Sequence, residues 1–330
     1  MSELLSIYRH ALLARLVDER LEVLGRGGRI GVHPDSQQAE TVIVAAALAL
    51  TENDWLFPTA RDHAAAFVRG VDVATYLAHV IGGATDPLSG HANPGCFCSR
   101  AKKIAPPTGQ LSQHLTQAMG LAWACRLRKD ASCVLALLPE TAADAGDFHS
   151  AVNFAGVTKA PIVFLVRTDG SRPERPARRA DTIGSRPLRG RLRPRSEAPA
   201  PDVEVADKGI AYGVASVDIT GDPMTVLEAV REAAERARRG EGPTLLEARI
   251  SPEHDSLERV RRQLLDEGAF DESADMLHRR EVMGEIEAAI VAAIDAGPAS
   301  PDSIFDHVHA ELAPHLIRQR DELRAVHEAV

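Results

Sequence analysis

Apolar side chains recur at helical spacing over the first 26 residues. Leu5, Leu12 and Leu16 fall on one face of a 3.6-residue period, which ends at a group of glycines near residue 25. Residues 40–50 are apolar on nearly every side, so we expect a helix that is buried on most of its faces. Two more helices are predicted, at 73–82 and 111–128.

Two continuous apolar runs, at 133–138 and 162–166, are flanked by turn residues and predict buried strands. A helical stretch over 144–157 separates them, which makes a β-α-β unit. Strands that are apolar throughout are typical of a parallel sheet covered by helices on both faces. The strand, helix and strand pattern recurs at 216–219, 225–239 and 244–250. The predicted fold is therefore α/β, with a doubly wound parallel sheet.

The pattern changes after residue 250, because helical spacing alone continues from 256 to the end. We predict an α/β domain over 1–250 and a C-terminal helical extension over 251–330. Within the first of these, residues 90–109 are rich in Gly, Pro and Ser, which indicates a long functional loop.

The segment 172–197 differs from the rest of the chain in charge. It holds nine Arg against three acidic residues and has no aromatic residue, so we expect it to be mobile without a ligand. The whole chain has a formal charge of −9 and a pI near 5.8, and the segment contributes +6. The remainder is strongly acidic, which excludes a protein built as a whole to hold nucleic acid or an anionic membrane. A nucleic-acid function for 172–197 alone is weakly supported, because stacking aromatic residues are missing.

Arginine makes up most of the basic residues, since only five of the 38 are Lys. Arginine is favoured for bidentate contacts with phosphate and carboxylate groups, although a GC-rich genome produces the same bias. The four cysteines form neither a disulfide framework nor a paired C-x-x-C metal site. The longest strongly apolar run, 42–50, is less than half a membrane span. We therefore expect a cytoplasmic protein without a membrane segment.

Acidic residues follow two predicted strands, at the edge of the sheet where ligands bind in this fold class. Glu140 comes directly after the first strand, and Asp169 comes shortly after the second. Two such carboxylates are suited to share Mg²⁺, which prefers oxygen ligands. In the alternative interpretation they are helix-start acids, stabilised by the positive end of a helix dipole. Arg61 and Arg167 would then pair with these two acids in a structural network.

Several motifs around the β-α-β unit match a known pattern. They are Gly146-Asp147-Phe148-His149, Asn153-Phe154-Ala155, Lys159-Ala160-Pro161 and, earlier, Phe57-Pro58-Thr59-Ala60-Arg61-Asp62-His63. With these motifs the sequence resembles the α subunit of thiamine-diphosphate-dependent 2-oxo acid dehydrogenases, in particular the branched-chain type. The resemblance spans nearly the whole chain and implies a thiamine-diphosphate-binding fold.

The resemblance assigns roles to individual positions. Arg61 and Arg167 match arginines that contact the cofactor diphosphate, and Leu111 matches the apolar residue that wedges the cofactor into its bent conformation. Gly109 lies in the same cofactor-binding stretch. The implied ligands of Mg²⁺ are the side chains of Glu140 and Asp169 and the backbone carbonyl of Ser171. No catalytic residue is assigned, and His63, His114 and His149 are expected to be structural.

The resemblance also implies an assembly and a reaction. Such α subunits form a heterotetramer with β subunits, and the β subunit supplies the Glu that activates the aminopyrimidine of the cofactor. The implied reaction is the oxidative decarboxylation of a 2-oxo acid of the branched-chain class. The acyl group is transferred to a lipoyl domain of the acyltransferase component.

The chain departs from the family pattern at the centre of the cofactor motif. Pro139 and Thr141 replace two glycines at which the backbone approaches phosphate, and proline offers no N–H. Ala60 replaces a tyrosine, and a His-bearing loop after residue 250 is absent. An alternative function is therefore a catalytically degenerate paralogue, with weakened cofactor binding, that serves as a structural or regulatory subunit.

Overall fold

Five parallel strands form one sheet at the centre of the chain. The computed structural model describes residues 2–36, 38–168, 204–251 and 254–328. The strands are β1 (Trp55–Phe57), β2 (Val134–Pro139), β3 (Ile162–Thr168), β4 (Ala215–Thr220) and β5 (Thr244–Arg249), in the spatial order β1-β2-β3-β5-β4. Every pair of neighbours is parallel, which confirms the predicted fold class.

Eleven α-helices surround the sheet in the described part of the chain. They are α1 (Glu3–Arg26), α2 (Glu40–Leu48), α3 (Ala64–Val68), α4 (Val73–Ile81), α5 (Gln113–Arg128), α6 (Gly146–Thr158), α7 (Val205–Ala211), α8 (Pro223–Arg238), α9 (Ser256–Asp266), α10 (Glu272–Asp295) and α11 (Pro314–Glu328). Short 3₁₀ turns occupy Glu140–Asp144 and Pro301–Ile304. In this part of the chain, no helix is both long enough and apolar enough to cross a membrane.

The two central strands alternate their side chains between two separate hydrophobic clusters. On β2, Leu135 and Leu137 join the cluster under α1, α2 and α8, whereas Val134 and Leu138 join the cluster under α5 and α6. Residues of β3 alternate in the same way. Both faces of a strand are therefore buried, which is why its sequence is a continuous apolar run.

The C-terminal helices extend the first of these clusters. Val260 and Leu264 of α9, and Ile286 and Ile290 of α10, pack into the same apolar core as α1. A buried polar contact reinforces this packing, since the hydroxyl of Tyr8 donates to Asp275 over 2.5 Å. The predicted domain boundary at residue 250 stays a prediction. The helices α9 and α10, which follow this boundary, share a core with α1.

The β-α-β arrangement brings the carboxyl ends of β2 and β3 side by side. Pro139, the last residue of β2, is in register with Arg167 near the end of β3. The first turn after β2 begins at Glu140, and α5 begins at Gln113, close to the same edge. This edge is where an open parallel sheet binds ligands.

Candidate functional site

A cavity of about 400 Å³ opens at the carboxyl ends of β2 and β3. The residues that line it come from five segments: Pro34; Thr59, Ala60 and Arg61; Thr108, Gly109, Gln110, Leu111, Ser112 and His114; Pro139, Glu140 and Thr141; and Arg167. Five of the predicted site residues are therefore brought together: Arg61, Gly109, Leu111, Glu140 and Arg167. The other two predicted metal ligands, Asp169 and Ser171, lie outside the described residues, as does the arginine-rich segment 172–197.

Arg167 is held at the cavity by a buried ion pair. Its Nη1 donates to Oδ1 of Asp62, and the two side chains are 8% and 0% exposed. The second carboxylate oxygen of Asp62 accepts two bonds of 2.7 Å, from the backbone N–H and the hydroxyl of Thr59. Asp62 therefore fixes both the guanidinium and the loop that carries Arg61.

Arg61 has a more exposed partner. Its Nη1 donates to Oδ1 of Asp35 over 2.9 Å and to the backbone carbonyl of the same residue over 3.0 Å. Both side chains are close to half exposed, so solvent weakens this pair. Within the described residues, the ion-pair partners of Arg61 and Arg167 are therefore Asp35 and Asp62. A pairing of the two arginines with Glu140 and Asp169 stays a prediction, because Asp169 lies outside those residues.

Glu140 and its neighbours form the part of the wall that follows β2. Glu140 is the first residue of the 3₁₀ turn and is partly buried, and Thr141 is exposed. Pro139 has extended backbone (ψ 160°) as it leaves the strand. A proline here cannot donate a backbone N–H to a ligand, so this wall binds anions less well than a glycine loop does.

The opposite wall is the loop that leads into α5. Leu111 is 52% exposed although it is a large apolar residue, and it lines the cavity. Ser112 has a left-handed backbone (φ 74°) directly before α5, which turns the chain between Leu111 and the helix. A Cβ added at Gly109 would have no neighbour within 4 Å, so the loop leaves open space beside that glycine.

His114 is a cavity-lining residue whose position sequence reasoning missed. Its Nε2 lies 2.9 Å from the carbonyl of Leu137, so this nitrogen carries the proton and donates. Burial lowers the pKa of His114, and the neighbouring Arg167 lowers it further, while Leu137 and Asp62 act in the opposite direction. The imidazole is therefore neutral near pH 7.

The remaining histidines and cysteines considered in the sequence lie away from the cavity lining. His149 hydrogen-bonds the hydroxyl of Tyr212, which agrees with a structural role. Cys96 and Cys98 are free thiols of intermediate exposure, and burial raises the pKa of both. His63 is buried beside Asp18 and His33, in a cluster next to the cavity.

A diphosphate group requires positive charge and N–H donors, and the cavity provides both. Each guanidinium has five N–H donors, and within the described residues the side-chain hydrogen bonds of Arg61 and Arg167 involve only Nη1. Two guanidinium groups at one cavity can therefore contact phosphate oxygens without losing their acidic partners. The residues present fit the diphosphate end of the cofactor, although Pro139 is an unfavourable element.

Comparison with known proteins places the chain in a family. The profile described as "Dehydrogenase E1 component" matches residues 8–170 and 197–251, and the chain belongs to this family. A relative named 2-oxoisovalerate dehydrogenase subunit alpha, from Bacillus subtilis, is 30% identical over 94% of this chain and 96% of its own length.

Two further relatives cover nearly the whole chain. The 3-methyl-2-oxobutanoate dehydrogenase subunit alpha of Mycobacterium tuberculosis H37Rv is 28% identical over 97% of this chain and 86% of its own length. The pyruvate dehydrogenase E1 component subunit alpha of Acholeplasma laidlawii is 25% identical over 99% of this chain and 94% of its own length. All three relatives are named as α subunits.

Proposed function

We propose that this chain is the α subunit of the decarboxylating component of a thiamine-diphosphate-dependent 2-oxo acid dehydrogenase. The observation that carries the proposal is the convergence of Arg61, Leu111, Glu140 and Arg167 on one cavity at the carboxyl edge of the sheet. These residues come from four separate segments, and the family resemblance assigns each of them to the cofactor or its metal. The match along nearly the full length of named α subunits supports the same function.

The substrate is a 2-oxo acid of the branched-chain class, and the acyl product passes to a lipoyl domain. Relatives named for 2-oxoisovalerate and 3-methyl-2-oxobutanoate support this class. When bound, thiamine diphosphate supplies the carbanion chemistry, and the protein supplies binding and electrostatics. The alternative of a catalytically degenerate paralogue is not favoured, because the relatives are named as dehydrogenase subunits.

The residues of this chain bind and orient the cofactor. Arg61 and Arg167 would hold the diphosphate, and the exposed Leu111 would provide an apolar contact for the cofactor. Because Asp62 fixes Arg167 in a buried setting, that guanidinium needs little reorganisation when an anion arrives. Glu140 would supply a carboxylate ligand to Mg²⁺, and the resemblance assigns the same role to Asp169 and Ser171, which lie outside the described residues.

A β subunit completes the site, and this chain alone is inactive. The partner supplies the Glu that activates the aminopyrimidine, so the cavity described above is one half of the cofactor site. Assembly with the β subunit also excludes water from the arginine pair and strengthens its attraction for the diphosphate. The acyltransferase component then accepts the acyl group.

Calorimetric titration of thiamine diphosphate with Mg²⁺ tests the proposal, with the chain co-expressed with its β subunit. We expect saturable binding, and Arg61→Ala should weaken it at least tenfold, since a charged hydrogen bond is worth about 1.5–3 kcal/mol. Arg126→Ala is the matched control, because Arg126 is an exposed arginine at the opposite end of α5 that bonds the carbonyl of Lys159. Absence of binding in the assembled complex would overturn the proposal in favour of the degenerate paralogue.

A further inference from the structure

Three metal-ligating side chains meet beneath the loop that carries Arg61. Asp18 comes from α1, His33 from the segment between α1 and α2, and His63 from the residue before α3. Oδ1 of Asp18 lies 2.7 Å from Nε2 of His33 and 3.1 Å from Nε2 of His63. The three side chains are 8%, 3% and 1% exposed. All candidate ligand atoms lie within 4.8 Å of one another.

Tyr76 packs beside this cluster. The hydroxyl of Tyr76 is fully enclosed and makes no hydrogen bond within the described residues. Its ring stacks on His63 at a centroid distance of 5.5 Å, and the charge of Asp18 contributes to raising its pKa, after burial. The ring of Tyr76 therefore closes one side of the cluster, against the imidazole of His63.

We propose that Asp18, His33 and His63 bind one divalent transition-metal ion, of which Zn²⁺ is the reference case. Two imidazoles and one carboxylate are typical ligands of Zn²⁺ and of Fe²⁺, whereas Mg²⁺ and Ca²⁺ prefer oxygen ligands throughout. Nothing in the proposed dehydrogenase function requires an ion at this position. The site is separate from the Mg²⁺ position at Glu140.

The cluster needs only a small adjustment to take an ion. A tetrahedral Zn²⁺ with bonds of about 2.0–2.1 Å holds its ligand atoms roughly 3.4 Å apart. The observed distances from Oδ1 of Asp18 are 2.7 and 3.1 Å, so each of these two distances lengthens by less than 1 Å when an ion binds. The hydroxyl of Ser36 lies 3.5 Å from Nε2 of His63 and is placed to occupy the fourth position, directly or through water.

An outer contact orients the carboxylate of Asp18. The backbone N–H of Ser36 donates to Oδ2 of Asp18 over 3.0 Å, which leaves Oδ1 facing the imidazoles. The oxygen of Asp18 that faces the two imidazoles is therefore the one available to an ion.

An ion at this position links three segments that shape the cofactor cavity. It joins α1 to the segment 33–36 and to the loop 59–63, which contribute Pro34 and Arg61 to the cavity lining. The metal is therefore structural. It also holds Asp35 and Arg61 close to their observed positions without touching the substrate.

Zinc titration of the full chain, stripped with a chelator and kept free of thiamine diphosphate, tests this inference. We expect one Zn²⁺ per chain by elemental analysis and a rise in the melting temperature. Mg²⁺ should neither bind at this position nor displace Zn²⁺. His33→Gln and Asp18→Asn should lower the affinity at least about 100-fold, since even second-shell changes cost 10–100-fold.

His79→Gln is the matched control. His79 is equally buried and lies 3.1 Å from Asp86, but that pair has a single imidazole. Its replacement should leave Zn²⁺ binding unchanged. Circular dichroism checks that each variant is folded, and visible absorption of bound Co²⁺ reports the ligand set independently. The inference is overturned if the folded wild-type chain binds no Zn²⁺, or if His33→Gln and Asp18→Asn bind it as tightly as the wild type.

Discussion

Nη1 of Arg167 donates to the carboxylate of Asp62, although 105 residues separate the two along the chain. Both side chains are buried, and Asp62 also accepts two hydrogen bonds from Thr59. One carboxylate thus orients a cationic group of β3 and the loop that carries Arg61. The positive charge of the cavity depends on an acid that the family resemblance did not single out.

Replacing Asp62 with Asn should destabilise the fold and misplace the cavity cation. Removing the carboxylate partner of a buried arginine lowers the stability of the fold by about 3–5 kcal/mol. We expect a loss of that size in the free energy of unfolding, measured with urea. Asp35→Asn is the control, because the exposed pair of Arg61 and Asp35 is worth at most about 1 kcal/mol. Equal losses in the two variants would show that burial does not set the strength of these pairs.

Leu111→Ala should separate cofactor binding from stability. The side chain is 52% exposed, so the free energy of unfolding should change by no more than about 0.5 kcal/mol. Its loss should weaken thiamine diphosphate binding in the assembled complex about tenfold, because roughly 1–1.5 kcal/mol of apolar contact disappears. The neighbouring Leu115→Ala provides the contrast, since Leu115 is fully buried and its truncation costs about 2–5 kcal/mol of stability. Unchanged cofactor affinity in Leu111→Ala would remove this residue from the proposed site.

Gly156→Ala should destabilise the packing of α6. A Cβ at this buried glycine falls on the carbonyl oxygen of Tyr212, and close packing of this kind costs about 1–3 kcal/mol. Gly120→Ala, in the middle of α5, has no neighbour within 4 Å of the added Cβ and should stabilise the helix by about 0.5–1 kcal/mol. Thermal unfolding of both variants measures the contrast, and a stabilised Gly156→Ala would show that the α6 contact is looser than described.

Asp54 should give the fold a pH-dependent contribution on the acidic side. Burial opposes its charge, but Arg238 and the backbone N–H of Cys133 lower its pKa below the ordinary value. A carboxyl whose folded pKa is lowered stabilises fully above its unfolded pKa of about 3.9 and loses this contribution as the pH falls through the folded value. The stability difference between wild type and Asp54→Asn should therefore be large at pH 6 and shrink below about pH 4.

Glu247 supplies the control of opposite sign. Burial raises its pKa, and Asp218 and Glu204 act in the same direction against the N–H of Ala206. The protonated form is favoured in the fold, so its contribution is present at low pH and is lost as the pH rises through the folded pKa. The wild type should therefore lose stability as the pH rises through the folded pKa of Glu247, and Glu247→Gln should lack this loss. If both variants showed the same pH slope, the assignment of these two shifts would be wrong.

Long apolar periods made most regular elements predictable. The helix predicted at 111–128 is Gln113–Arg128, and the strand predicted at 133–138 is Val134–Pro139. The short elements β1, α3 and α7 escaped prediction, because three to seven residues do not establish a period. The fold class could be predicted because strands that are buried on both faces have continuous apolar sequences. This pattern can be recognised without knowledge of distant contacts.

The amino-acid sequence by itself determined the α/β fold class, the family and the candidate residues Arg61, Leu111, Glu140 and Arg167, because these depend on local motifs and periods. Only the tertiary structure decided which side chains meet. Asp62 pairs with Arg167, and Asp18 joins His33 and His63, through contacts between segments far apart in the chain. The physical reason is that an ion pair or a ligand cluster is selected by distance and burial in the folded chain, and neither of these can be read from local sequence.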